Sequence, residues 1–107
     1  MALQLLAPTD IADQAAITWN PAAFPQVEVV LGGNRTFSAP SPLPDGGTFI
    51  LYVMQDATGS RLITWDPVFK WPGGAAPTLS TAANALDIIA FVTDGTNMYG
   101  VAQTGFA

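Results

Sequence analysis

Thr48-Phe49-Ile50-Leu51-Tyr52-Val53-Met54-Gln55 is eight residues of β-branched, aromatic and aliphatic side chains set between turn formers. Gly46-Gly47 precedes it and Asp56-Ala57-Thr58-Gly59 follows. Such a run, bounded by Gly and Asp, reads as a strand. Because it is nearly continuous in apolar residues, both of its faces are expected to be covered. Arg61-Leu62-Ile63-Thr64-Trp65 then reads as the return strand of a hairpin whose turn is Asp56 to Gly59.

The same grammar recurs outward from this segment. Asp87 to Thr93 is a second buried strand, and Asp94-Gly95-Thr96-Asn97 is a turn that returns the chain through Met98 to Gln103. An Asp-Gly pair between two apolar runs is a strong short-range hairpin signal. Upstream, Gln26 to Leu31 alternates and ends at Gly32-Gly33, Asn34 to Ala39 makes a short strand with Phe37 inward, and Ala16 to Trp19 is a short apolar stretch. Val68 to Trp71 follows Asp66-Pro67 as another short segment. Pro40, Pro42 and Pro44 lack the donor a ladder needs, so 40–44 is a surface connection, and 78–85 is a loop. Helical signals are limited to one possible turn each at Ile11 to Ala16, capped by Asp10, and at Thr81 to Leu86.

Short strands with frequent turn signals predict an all-β fold, a small antiparallel β-sandwich of jelly-roll-like kind. Residues 16–107 form the single domain and residues 1–15 an N-terminal arm. Phe49, Leu51, Val53, Ile63, Ile88, Ala90 and Val92 are expected in the core or in a subunit interface.

Charged residues are 10% of the chain, against about 25% in an average soluble domain. The hydrophobic set reaches 50%. A domain of 107 residues has more surface than core, and few charges are available to cover it. Exposed apolar surface on that scale marks interfaces, so the composition predicts an oligomer. The net charge is −5, with Arg35, Arg61 and Lys70 as the only cations. No basic stripe suits nucleic acid, and no polybasic or amphipathic segment suits a membrane surface. The N-terminus lacks a basic n-region and a long apolar run, so no targeting signal is expected and a product made in the cytoplasm is.

Cysteine and histidine are both absent. That removes disulfides, thiolate chemistry, the commonest general base and the usual transition-metal ligands. Asp45, Asp56, Asp66 and Asp94 sit in predicted turns, where aspartate serves local hydrogen bonding. Asp94 with Thr96 and Asn97 is the nearest approach to a calcium loop, and the EF-hand spacing is missing. No cofactor, no metal and no catalysis are expected. Trp65, Trp71 and Tyr99 are candidate aromatic surface contacts, and together with Trp19 and Tyr52 they could form a shelf for a saccharide, although core or interface packing is the ordinary role of each.

The second half of the chain carries a composite pattern. Gln55-Asp56-Ala57-Thr58-Gly59-Ser60-Arg61, Thr64-Trp65, Lys70-Trp71-Pro72-Gly73-Gly74, Ala76-Pro77-Thr78-Leu79 and Thr93-Asp94-Gly95-Thr96 occur in order. Together they resemble a module of tailed-phage tail fibres, tail-tip proteins and other virion surface proteins. The resemblance covers about residues 47–101 and implies a trimeric, non-enzymatic protein of the virion, made in the host cytoplasm. Its partners would be two further copies of itself, other virion proteins such as the major capsid protein, and a host surface glycan. With about fifteen residues before the first strand, the chain is expected to act as a head decoration protein docking on the capsid. Leu3, Leu5, Leu6 and Ile11 would be its docking contacts. The alternative is a tail-fibre or tail-tip domain that recognises host glycan.

Overall fold

The computed structural model describes residues 9–106. Nine strands make two sheets: β1 (Thr9–Asp10), β2 (Ala16–Ile17), β3 (Gln26–Leu31), β4 (Arg35–Phe37), β5 (Thr48–Gln55), β6 (Ile63–Trp65), β7 (Phe69–Lys70), β8 (Leu86–Thr93) and β9 (Met98–Phe106). The large sheet runs β1-β3-β5-β8-β9-β7 and the small one β2-β4-β6. A single 3-10 turn at Pro72–Gly74 is the only helical element among the described residues, so the all-β class holds.

From Thr9 to Trp65 the chain alternates between the two sheets, laying one strand in each per circuit. Successive circuits stack in parallel: β1 on β3 and β3 on β5 in one sheet, β2 on β4 and β4 on β6 in the other. The first half is therefore a coil rather than a meander. Antiparallel pairing is confined to β5 with β8 and β8 with β9. The expected antiparallel sandwich is thus a mixed one, because the connections cross between sheets instead of turning back within one.

The expected hairpin of residues 47–55 with 61–65 does not form. β6 pairs with β4 instead, Phe37 opposite Trp65. The side chain of Gln55 explains the diversion. Its Oε1 accepts from the Arg61 N–H at 2.9 Å, and its Nε2 donates to the carbonyls of Arg61 at 2.8 Å and Ser80 at 2.9 Å. A buried carboxamide thus takes the place of ladder bonds and steers the chain out of the sheet. Asp56 tightens the same turn by accepting from the N–H groups of Thr58 and Gly59. Gly59 has φ +74°, and a Cβ there would meet the Thr81 carbonyl oxygen at 2.5 Å. The second expected hairpin, β8 to β9 through Asp94 to Asn97, is present.

The core lies between the sheets. Ile17, Trp19 and Phe37 meet Val27, Val29, Leu31, Leu51, Ile89 and Phe91 there, all almost fully buried. Seven aromatic rings form one connected network, and Phe91 touches four of them: Trp19, Trp65, Phe69 and Trp71. Of the expected core residues, Phe49, Leu51 and Val53 are buried and Ile63 is half-buried. Ile88, Ala90 and Val92 point to the outer side of the large sheet, and Asp87, Ile89, Phe91 and Thr93 point in. Two buried polar groups fix that parity. The Asp87 carboxylate accepts from the N–H groups of Ser80 and Gly105, and the Thr93 hydroxyl donates to the Gly46 carbonyl. β5 is covered on one face only, with Ile50, Tyr52 and Met54 half-buried on the other.

Candidate functional site

Beside β9 the chain leaves β7 at Trp71 and enters Pro72-Gly73-Gly74, where φ is positive at both glycines. The two backbones part there and leave a depression of about 280 Å³ lined by Lys70, Trp71, Pro72, Val92, Tyr99 and Val101, with Gly100 between. Gly100 makes this arrangement possible. A Cβ on it would lie 2.5 Å from Trp71 Cζ3 and 2.6 Å from Phe91 Cε1, so only glycine lets the indole seat against the strand. Trp71 is half-buried, stacked on Phe69 with 6.4 Å between centroids, and is thereby held firmly as a wall of the groove.

Tyr99 is 40% exposed, and its hydroxyl donates to Asp94 Oδ2 at 2.9 Å. Asp94 also accepts from the N–H groups of Thr96 and Asn97. The Asn97 and Thr96 amides, with the Tyr99 hydroxyl, hold the Asp94 carboxyl below its ordinary range. The turn that closes the hairpin thus also orients the tyrosine. Lys70 stands opposite Tyr99 in the β7–β9 register and is exposed. Arg35 is paired with Asp13 at 2.6 Å and Arg61 with Asp56 at 3.0 Å. Among the described residues, Lys70 is the one cation without a carboxylate partner.

Of the three aromatic candidates, Trp71 and Tyr99 come together at this groove. Trp65 does not join them at the surface: it is wedged among Phe37, Phe69, Trp71 and Phe91, and braces the wall from behind. Lys70 entered the sequence reading only as one of three cations and within the Lys70-Trp71-Pro72-Gly73-Gly74 motif, and Gly100 did not enter it. The register of β7 on β9 is what brings them in, and no sequence period announces a two-residue strand. Of the docking candidates, Leu3, Leu5 and Leu6 lie outside the described residues. Ile11 packs against the domain's own core, and its N–H donates to the Glu28 carbonyl at 2.9 Å. Thr9 and Asp10 likewise pair with Val27 and Glu28, so Thr9 to Ile11 of the expected arm are joined to the large sheet.

A broader, shallow depression of about 630 Å³ lies between the 80–85 loop and the end of β9, bordered by Ser80, Thr81, Asn84 and Phe106. It has no charged side chain and one aromatic. No cluster of three or more acidic side chains that could hold a metal ion occurs among the described residues.

A family model described as "Putative phage tail fibre C-terminal domain" matches residues 16–98. The chain belongs to this family. It is a phage virion structural protein, and the match favours the tail-fibre alternative while head decoration gains no support from it. No curated protein and no solved structure matches the chain. Lys70, Trp71, Pro72 and Val92 of the groove fall within the matched residues and Tyr99, Gly100 and Val101 lie just beyond them, while the Gln55 and Asp56 turn and the Trp65 brace fall within. The residues quoted as a pattern from the sequence divide in two in the structure. Gln55, Asp56, Gly59 and Trp65 serve the fold, and Lys70-Trp71-Pro72 with Tyr99 forms an accessible surface.

Proposed function

We propose that this tail-fibre domain contacts the host directly and takes a surface saccharide in the groove between Trp71 and Tyr99. The observation that carries the reading is the union of two aromatic walls with an unpaired ammonium at one accessible depression. Sugar rings present patches of C–H that pack on aromatic faces, while their hydroxyls need donors and acceptors placed around them. Lys70 supplies three donors on a flexible stem. Tyr99 supplies a hydroxyl whose direction is set by Asp94. The work is adhesion rather than catalysis, in keeping with a structural family.

The test is binding of the isolated protein to a glycan array and to host cells. Tyr99→Ala and Lys70→Ala should each weaken saccharide binding about tenfold or more while leaving the melting temperature within a few degrees, because both side chains are largely exposed. Binding unaffected by both substitutions would remove the groove from the proposal. Unchanged binding in these two, together with loss on Asn84→Ala, would move the site to the 80–85 loop.

A further inference from the structure

Two Asp-Gly pairs, Asp45-Gly46 and Asp94-Gly95, lie against each other where the proline-rich connection meets the β8–β9 turn. The Gly95 N–H donates to the Pro44 carbonyl at 3.0 Å, and a Cβ on Gly95 would stand 3.4 Å from the Asp45 Cβ. All four residues of the two pairs are exposed. Before a glycine, an aspartate side chain is open to attack by the next main-chain nitrogen, because no Cβ stands in the way. Attack needs that nitrogen and that carboxyl to be free of other bonds, and here the pairs differ. The Gly95 nitrogen is committed to Pro44. The Asp94 carboxylate accepts from the N–H groups of Thr96 at 2.9 Å and Asn97 at 2.8 Å, and from the Tyr99 hydroxyl at 2.9 Å. These donors also favour its charged form, which is the poorer electrophile. Among the described residues, neither the Asp45 carboxylate nor the Gly46 N–H makes a hydrogen bond, and nothing lies within 4 Å of where a Gly46 Cβ would be.

We infer that Asp45-Gly46 is a site of spontaneous isoaspartate formation in the folded protein, while Asp94-Gly95 is protected by its own turn. This rests on the two turns alone and is independent of the saccharide reading. The Gly46 nitrogen bonds to the Asp45 Cγ; its proton, a carboxyl oxygen and the carboxyl proton leave as water, and a succinimide ring remains. Water then adds to the main-chain carbonyl carbon of Asp45, and the bond from that carbon to the nitrogen breaks. The chain now runs through Cβ and Cγ, the α-carboxyl is free, and the mass is unchanged. Water is the only co-reactant. The altered residue sits between two clasps: the Pro44 carbonyl holds Gly95, and the Gly46 carbonyl accepts from the buried Thr93 hydroxyl at 3.1 Å. One more main-chain carbon between these carbonyls puts them out of step with the β8–β9 turn, so one clasp must open. An opened Thr93 hydroxyl is a buried donor without a partner, which destabilises the fold. Asp94 in the same turn orients Tyr99, so the change reaches a wall of the groove.

Asp45 and Asp94 fall on different tryptic peptides, residues 36–61 and 71–107. The full chain is aged warm at neutral pH and digested, and isoaspartate in each peptide is counted by methyl transfer from S-adenosylmethionine with an isoaspartyl methyltransferase. In the native protein the 36–61 peptide should gain label about tenfold faster or more, because several hydrogen bonds must open at Asp94 and none at Asp45. In urea the two peptides should gain label at similar rates. Asp45→Glu, which would have to close a larger ring, should remove the native signal and leave the circular dichroism unchanged. The isomerised fraction should melt below the fresh protein. Equal labelling of both peptides in the native chain would overturn the inference, as would a 36–61 peptide that labels only in urea. A signal that survives Asp45→Glu would assign the reaction to Asp56 instead, and an isomerised fraction with the fresh melting temperature would refute the opened clasp.

Discussion

Gly100→Ala adds one methyl group at the seat of the groove. Gly100 lies in a regular strand without positive φ, so alanine is acceptable to the backbone and the cost is steric. The new carbon would stand 2.5 Å from Trp71 and 2.6 Å from Phe91, against ordinary carbon contacts near 3.5–4.0 Å, so the rings must withdraw by roughly 1 Å. Phe91 cannot yield, because it is fully buried and enclosed by four other rings. Trp71, half-buried at the margin, must swing outward and leave its stack on Phe69. Overpacking of this kind costs about 1–3 kcal/mol. For a domain of this size that lowers the melting temperature by about 4–8 °C per kcal/mol. Urea or thermal unfolding followed by tryptophan fluorescence measures it, and the displaced indole should weaken saccharide binding in the same variant. A Gly100→Ala protein with the wild-type midpoint and wild-type fluorescence would show that Trp71 is not packed against β9, and the groove as described would fall with it.

Removing the buried carboxylate in Asp87→Ala leaves the Ser80 and Gly105 amides unpaired at the end of the sheet, at about 1–3 kcal/mol for each, and Asp87→Asn should cost less; urea midpoints compare the two. Stability should be level from pH 5 to 8, because the chain has no histidine to titrate there. The carboxyls of Asp13, Asp56 and Asp94 are all held below 3.8, the first two chiefly by Arg35 and Arg61 and the third by backbone amides. Their contribution is complete above the unfolded value and is lost as pH falls through the lower native values, so melting temperatures should decline only below about pH 4. A decline already present between pH 7 and 5 would contradict this.

Most strands were legible in the sequence, because turn residues bound them: Gly32-Gly33 ends β3, Asp56 to Gly59 ends β5 and Asp94-Gly95 joins β8 to β9. Their partners were less so. Adjacent strands usually pair, and nothing local in Ile63-Thr64-Trp65 says that it belongs beside Arg35-Thr36-Phe37. The deciding interactions are the Gln55 side chain taking up Arg61 and the Phe37–Trp65 stack, both made only after the chain has folded back. The parity of β8 was hidden for a different reason. Leu86-Asp87-Ile88-Ile89-Ala90-Phe91-Val92 is apolar on both sides, so alternation gives no direction, and an aspartate facing inward runs against the simple rule. Trp71 and Tyr99 stood in the sequence only as candidates beside Trp65, with packing as the ordinary role of each. Their meeting with Lys70 and Gly100 depends on a two-residue parallel pairing below the resolution of any sequence pattern.

The coil of the first six strands has a consequence for how the chain is made. As synthesis proceeds, each circuit leaves its newest strand with an unpaired edge until the next arrives. β5 is the longest and most apolar of these, and its partner β8 is not made until β6, β7 and the 78–85 loop have been laid down. In that interval the nascent chain offers an eight-residue apolar edge to any strand that can pair with it. β8 and β9 therefore act as a lid on the growing end of the stack, and a chain that terminates before Leu86 should aggregate instead of remaining as a shorter soluble domain.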